Sequence, residues 1–364
     1  MAPLGIAILG GGIFVQEAHL PALQELGTAH AQILAIYSRS EASAAASVQV
    51  CSNFGLGTPA VYHDADPAAN LQALLKREDV KAVIVALPIT KQGEVVLECL
   101  KAGKHVLSEK PIGRDVKEGI ELIKEYEKVY KPKGLIWRIA ENWEVEPTFL
   151  WVKQQIAAGR IGKVQTFSLI SINYVSPVGN KWYNTPWRTK PDYQGGFLLD
   201  GGVHSAAFLR TVLPSPFVSL AGFATLLNEH LAPHDCIHAT LKCADGAQGV
   251  FNLNSGAGGY EGGGGTSILG TDGSIEVQHF SKEGKPWIRA VLKEGKKGAQ
   301  KTETFEHASC GVLEEQRYFV DAVNGKNDND YGNPRGALED VAVIQAGLTS
   351  EGSKVEFSQL IPKF

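Results

Sequence analysis

Cysteine is scarce in this chain, and no two cysteines form C-x-x-C. The five (Cys51, Cys99, Cys236, Cys243 and Cys310) are odd in number and scattered. That excludes a disulfide framework or zinc ribbon and points to reduced thiols in a cytoplasmic setting. An excess of basic charge is also missing: the formal net charge is −4. A general nucleic-acid or anionic-membrane surface is therefore not expected among its partners. No apolar run reaches the ~18 residues that a membrane span needs. The opening "MAPLGIAILGGGIFV" is apolar like a secretory leader, yet it lacks a basic start, and its glycines suit a strand and turn. There is no internal repeat. Low complexity is confined to "SGAGGYEGGGG" at 255–265, read as a mobile loop between two sheet strands.

What is present is an ordinary globular composition, 44% hydrophobic and 20% charged over 364 residues. That length exceeds one core and predicts two domains. The first, 1–132, alternates apolar runs ("LGIAILG", "QILAIYS", "KAVIVALP", "KHVLSEKP") with helical patterns at 16–26, 41–54, 68–77, 92–102 and 116–129. Near-continuous apolar strands separated by helices predict a parallel sheet buried on both faces, a Rossmann-type α/β domain. "YKPKG" marks the seam. The second domain, 133–364, opens with a short strand (135–139) and a helix (148–158). Strands follow at 164–174, 218–226, 236–243, 248–254, 266–269 and 274–277, joined by the Asp-Gly turns "ADGA" and "TDGS". With helices at 312–323 and 335–349, this reads as an α+β domain on an open-faced, mostly antiparallel sheet.

"AILGGGIFV" sets Gly10 and Gly12 after a strand and before a helix, the setting of a dinucleotide fingerprint. One glycine makes the turn, the next admits a pyrophosphate to the backbone, and the helix N-terminus adds positive potential. Val15 replaces the third glycine, at a position that governs packing more than phosphate contact. The second strand ends "AIYSRS", with no acid at Tyr37, Ser38 or Arg39 to take a ribose 2′-hydroxyl. A hydroxyl at Ser38 and a guanidinium at Arg39 suit a 2′-phosphate instead, so NADP(H) is favoured over NAD(H).

In "GGFLLDGGVHSAAF" (195–208), an acid and an imidazole are separated by two glycines. A helix starting immediately after Asp200 would be capped by it and would set Asp200 and His204 one turn apart on one face. The carboxylate would then orient the imidazole, and the glycines would clear space for ligands. "HLAPHDCIH" groups His230, His234, Cys236 and His238, but Pro233 breaks any helix there and a third ligand is unplaced, so no structural metal is expected. Trp182, Tyr183 and Trp187, in a Gly- and Pro-rich loop, read either as an apolar wall for a sugar or as a seam plug.

"AGKHVLSEKPIG", "LLDGGVH", "ALPITKQ", "PWR", "LGTDGSIEV" and "ALEDVAVIQAGLTS" together resemble the Gfo/Idh/MocA family of glucose–fructose oxidoreductase and inositol dehydrogenase. "GGIFV", "AENW" and "TPWRTKP" look closest to its cytosolic, NADP-dependent fungal branch. The resemblance implies Lys110, with a cis bond to Pro111, and the Asp200–His204 pair as proton relay for hydride transfer with a small polyol, sugar or carbonyl compound. The alternative for Lys110 is an ion pair with Glu109. The resemblance also implies backbone contacts to the pyrophosphate at Gly12, Ile13 and Phe14, and a cofactor lining of Leu87, Pro88, Glu109, Trp187 and Arg188. Gln92 stands there where many members have histidine, and the common arginine near "AENWEVEP" is absent. Asn142, Tyr183 and His204 are implied at the substrate. A homodimer through the open sheet is expected. A cofactor-sensing regulatory protein without chemistry, or a glycosidase using transient oxidation, is the alternative.

Overall fold

The computed structural model describes residues 2–259, 264–296 and 298–364. The loop expected at 255–265 therefore falls partly outside the described residues. The chain forms two compact units. The first comprises the chain up to Gly113, Lys117–Asn142 and Gly311–Ala337; the second comprises Arg114–Val116, Trp143–Cys310 and Leu338–Phe364.

The first unit is built on β1 (Leu4–Leu9), β2 (Ala31–Tyr37), β3 (Ala60–Tyr62), β4 (Ala82–Val85), β5 (His105–Glu109) and β6 (Trp137–Ala140). They lie in the order β3-β2-β1-β4-β5-β6, and every pairing is parallel. Strands such as "AVIV" are buried at every position, as a sheet covered on both faces requires. The strand order reverses between β1 and β4. That switch point opens a crevice at the strands' carboxyl ends, where such sheets take ligands. The compact units divide the chain differently from the domains expected on either side of 132/133. β6 extends the same sheet by pairing with β5, and the helix Gly311–Val323 returns to pack Leu313, Phe319 and Val320 into the core with Ile8, Leu20 and Leu23.

The second unit carries β7 (Val164–Ile172), β8 (Phe217–Thr225), β9 (Cys236–Cys243), β10 (Gln248–Asn254), β11 (Gly264–Gly270), β12 (Gly273–Lys282), β13 (Lys285–Glu294), β14 (Lys301–Ala308) and β15 (Val355–Glu356). Their order is β14-β13-β12-β11-β7-β10-β9-β8-β15. β10 pairs with β7 in parallel, and the other pairings are antiparallel. Strict alternation in β9 puts Ile237, Leu241 and Cys243 inside and His238, Thr240 and Lys242 outside. The helix Phe197–Val212 packs with α-helix Pro147–Ala157 and with β10. The opposite sheet face exposes Ile170, Phe223, Val250 and Leu269. β13 and β14 were not expected from the sequence, because lysines, glutamates and threonines dilute their apolar alternation.

One charged cluster sits inside this unit. Arg210 donates to Asp340 through Nε (2.8 Å to Oδ1) and Nη2 (2.9 Å to Oδ2), and through Nη1 to Glu144 at 3.2 Å. The two carboxylates outweigh burial and hold the guanidinium firmly protonated. Removing one partner from a buried cluster strands the other charges. Arg210→Met is expected to cost about 3–5 kcal/mol, read as a lower urea midpoint. A midpoint equal to wild type would show that the cluster contributes nothing.

Candidate functional site

The glycine turn after β1 is dictated by crowding on two positions and openness at the third. Gly10 has φ +129°, and a Cβ there would lie 2.2 Å from the Ala86 carbonyl oxygen. A Cβ on Gly11 would lie 2.6 Å from Ser43 Oγ, whereas one on Gly12 would meet nothing within 4 Å. Only the third glycine therefore faces free space. Val15, standing in for the fingerprint's last glycine, is fully buried. The helix expected over 16–26 begins as a wider π turn, Val15–His19, and continues as Leu20–Leu26. Ile13 and Phe14 lie at the start of this segment.

At the end of β2, Ser38 is half-buried and Arg39 exposed. Ser40 accepts from the Ser43 N–H at 3.3 Å and caps the helix Glu41–Asn53. An acid does reach this neighbourhood, from a place the local sequence does not reveal. Asp64, just after β3, accepts from the Tyr37 hydroxyl at 2.6 Å. Burial, then that bond, push the Tyr37 phenol well above its usual range.

β5 delivers Lys110 at its carboxyl end, half-buried, and the Lys110–Pro111 bond is cis. Leu87 and Pro88 are half-buried, and Pro88 starts the helix Ile89–Lys101. Gln92 is only 2% exposed. Its Nε2 donates to the Glu109 carbonyl and, at 3.3 Å, to that of Pro111, so it clamps the backbone around the lysine. The Glu109 carboxylate turns inward, 2.8 Å from His19 Nε2, and Gln316 Nε2 lies 2.9 Å from His19 Nδ1. Gln316 also donates to the His19 carbonyl at 3.3 Å, which fixes its amide nitrogen on that side. The imidazole therefore accepts at Nδ1 and donates from Nε2. His19, Glu109 and Glu315 form the one metal-type donor group among the described residues, their ligand atoms lying within 4.8 Å of one another. Both nitrogens of the histidine are already in use, so the group is a hydrogen-bonded cluster.

In the second unit, the helix Phe197–Val212 begins earlier than the sequence reading places it. Gly196 is the N-cap, and Gly195 and Gly196 have φ +70° and +54°, which side chains rarely adopt. Asp200 thus lies within the first turn, past the cap position. Its partner is Arg188, with Nε 2.7 Å from Oδ2 and Nη2 3.5 Å from Oδ1. The two intervening glycines differ: a Cβ on Gly202 would lie 2.5 Å from Leu253 Cδ1, while one on Gly201 would meet nothing within 4 Å. Only Gly201 clears space. Residues 200, 201 and 204 share one arc of the helix, so a carboxylate, bare backbone and an imidazole look the same way.

The aromatic loop serves this carboxylate. The Arg188 guanidinium lies 4.0 Å from the Trp187 ring centroid and 5.3 Å from that of Trp182. Trp187 and Arg188, expected at the cofactor, are thus a plane and the cation it supports. Tyr183 stacks on Phe197 at 6.4 Å and meets His230 edge-on. His230 Nε2 bonds the Val175 carbonyl at 2.9 Å, which gives it a local structural role. Asn142 belongs to the first unit, and Trp143 begins the second. Trp143 is the residue that sequence reasoning missed. Its indole is nearly parallel to the His204 imidazole, at 5.5 Å and 21°, and to that of His279, at 4.8 Å and 24°. The available signal was an indole directly after Asn142.

Comparison with known proteins gives a consistent picture. A family model described as "Oxidoreductase family, NAD-binding Rossmann fold" matches residues 4–132. One described as "GFO/IDH/MocA C-terminal domain" matches 149–276. The chain is 32% identical to a protein named Dehydrogenase FPY6 from Fusarium mangiferae, covering 95% of this chain and 96% of that one. It is 28% identical over 143 residues (39% of this chain, 37% of the other) to a Bacillus subtilis protein named scyllo-inositol 2-dehydrogenase (NADP(+)). The crystal structure of an oxidoreductase from Thermotoga maritima superposes with a TM-score of 0.84 at 29% identity, covering 99% of this chain and all of that one.

Proposed function

This chain belongs to the Gfo/Idh/MocA oxidoreductase family, and on that premise we propose an NADP(H)-dependent dehydrogenase or reductase of small polyols, sugars or related carbonyl compounds. The observation that carries the reading is the arc of Asp200, Gly201 and His204, where the one position open to a ligand lies beside an imidazole and a carboxylate paired with Arg188. The relative named for scyllo-inositol and NADP(+) supports both the substrate class and the cofactor.

The open surroundings of Gly12 fit a pyrophosphate at Gly10, Gly12, Ile13 and Phe14. Ser38 and the exposed Arg39 fit a 2′-phosphate. NADP(H), when bound, supplies or accepts the hydride. What remains for the protein is a proton at the substrate oxygen and a fixed geometry. Lys110, its backbone held by Gln92, and His204 are the candidates for proton transfer. Asp200 acts as the charge that Arg188 keeps in place, and Leu87, Pro88, Trp187 and Asn142 shape the surroundings. Tyr183 completes the substrate wall with Phe197 beneath it. The exposed apolar face of β7, β8, β10 and β11 fits a second copy of the chain, giving a homodimer.

Lys110→Ala and His204→Ala are each expected to lower kcat by about 10²–10⁴-fold and to leave NADPH affinity nearly unchanged. Near-normal turnover by both would remove the relay. Binding of NADPH with no oxidation across a panel of carbonyl compounds would leave a regulatory protein. Arg39→Ala should weaken NADPH about 10–100-fold, from the loss of charge-assisted hydrogen bonds, and spare NADH. Tighter binding of NADH than NADPH by the wild type refutes the cofactor assignment. For the dimer, light scattering should give twice the chain mass, and Val250→Lys should halve it; a monomeric wild type sinks that part.

A further inference from the structure

Trp143 lies in the short helical turn Asn142–Val145, between β6 and the helix Pro147–Ala157. Its ring is nearly parallel to two imidazoles: His204 from the helix Phe197–Val212 and His279 from β12. The indole is itself held from the side. Phe149, fully buried, meets it at 5.6 Å and 60° and meets His279 at 5.9 Å and 72°. Phe149 also packs on Phe208, one helical turn beyond His204, with centroids 4.3 Å apart. The same helix is tied to the strand-to-helix turn that carries Trp143, through Arg210 and Glu144. Platform and imidazole therefore share one rigid support.

A histidine side chain turns about two bonds, and a half-buried ring on a helix needs a surface to fix its plane. Flat stacking on an indole supplies that surface without using either ring nitrogen. We propose that Trp143 is the positioning residue for His204. It holds the imidazole in one plane so that a nitrogen stays aimed past Gly201, and it senses the charge of that ring through its own π-face. The positioning part rests on His204 acting at the substrate; the contact itself does not.

The titratable and charged groups on the elements packed here are Asp200, held by Arg188; Glu144 and Asp340, held by Arg210; and His279. Packing of its ring holds His279 below the usual imidazole range, and solvent over the rest of that residue screens part of the effect. His279 is thus the partner that must be separated from His204 by experiment.

An imidazolium stacked on an indole quenches its fluorescence, and a neutral imidazole does so far less. The emission attributable to Trp143, taken as wild type minus Trp143→Phe, is expected to rise with pH in one step between about pH 5 and 8, the range of histidine. The step should vanish in His204→Gln and persist in His279→Gln. A flat profile, or a step that survives His204→Gln, overturns the contact. In turnover, Trp143→Leu should lose about 100-fold in kcat, the scale of a misplaced group, with the KM for NADPH unchanged. Trp143→Phe, which keeps a flat ring, should recover most of that loss. Full kcat in Trp143→Leu, or no recovery in Trp143→Phe, overturns the positioning role. If His204→Ala itself turns over normally, the functional reading fails, and the fluorescence step still decides the contact.

Discussion

The helix Phe197–Val212 lies as close to its sheet as it does because residue 202 has no side chain. Any Cβ there would press into Leu253 on β10 and Ile344 on the helix Pro334–Thr349. Close packing of this kind leaves no slack in rotation or register. Once Gly202 is seated, the rest of the helix is set. Asp200 comes to Arg188, His204 comes over Trp143, and Arg210 reaches inward to Asp340 and Glu144. A steric absence on one side of the helix thereby aims three charged or titratable groups on its others.

Local patterning carried much of this into view. The β1 glycine turn, the Asp-Gly hairpins at 245–246 and 272–273 and the long apolar strands all follow from short-range chemistry. The Asp200–His204 spacing survives as well, although the helix starts at Gly196 and not after the aspartate. That shift was hidden because only the backbone reveals that Gly195 and Gly196 occupy left-handed conformations. The pairing of Arg188 with Asp200 was out of reach for a related reason. They stand twelve positions apart, in two helices joined by the loop 190–196, and no periodicity carries across such a loop.

Long-range assembly accounts for the other differences. Nothing near Tyr37 announces Asp64, which arrives from the neighbouring strand. The sixth strand and the helix Gly311–Val323 join the first unit through pairings and apolar contacts far apart in sequence. β13 and β14 escaped because an edge hairpin with one wet face needs few apolar residues. The buried positions of β13, Ile288, Ala290 and Leu292, are regular only once the register is known.

The amide of Gln92 braces the carbonyls on either side of Lys110. A carboxamide carries the same donors in acid as in alkali, whereas an imidazole in that place would exchange a lone pair for a proton near neutrality. The chain around the lysine is consequently anchored by a tie that is blind to acidity. Whatever bell or slope a rate profile displays does not come from this tie.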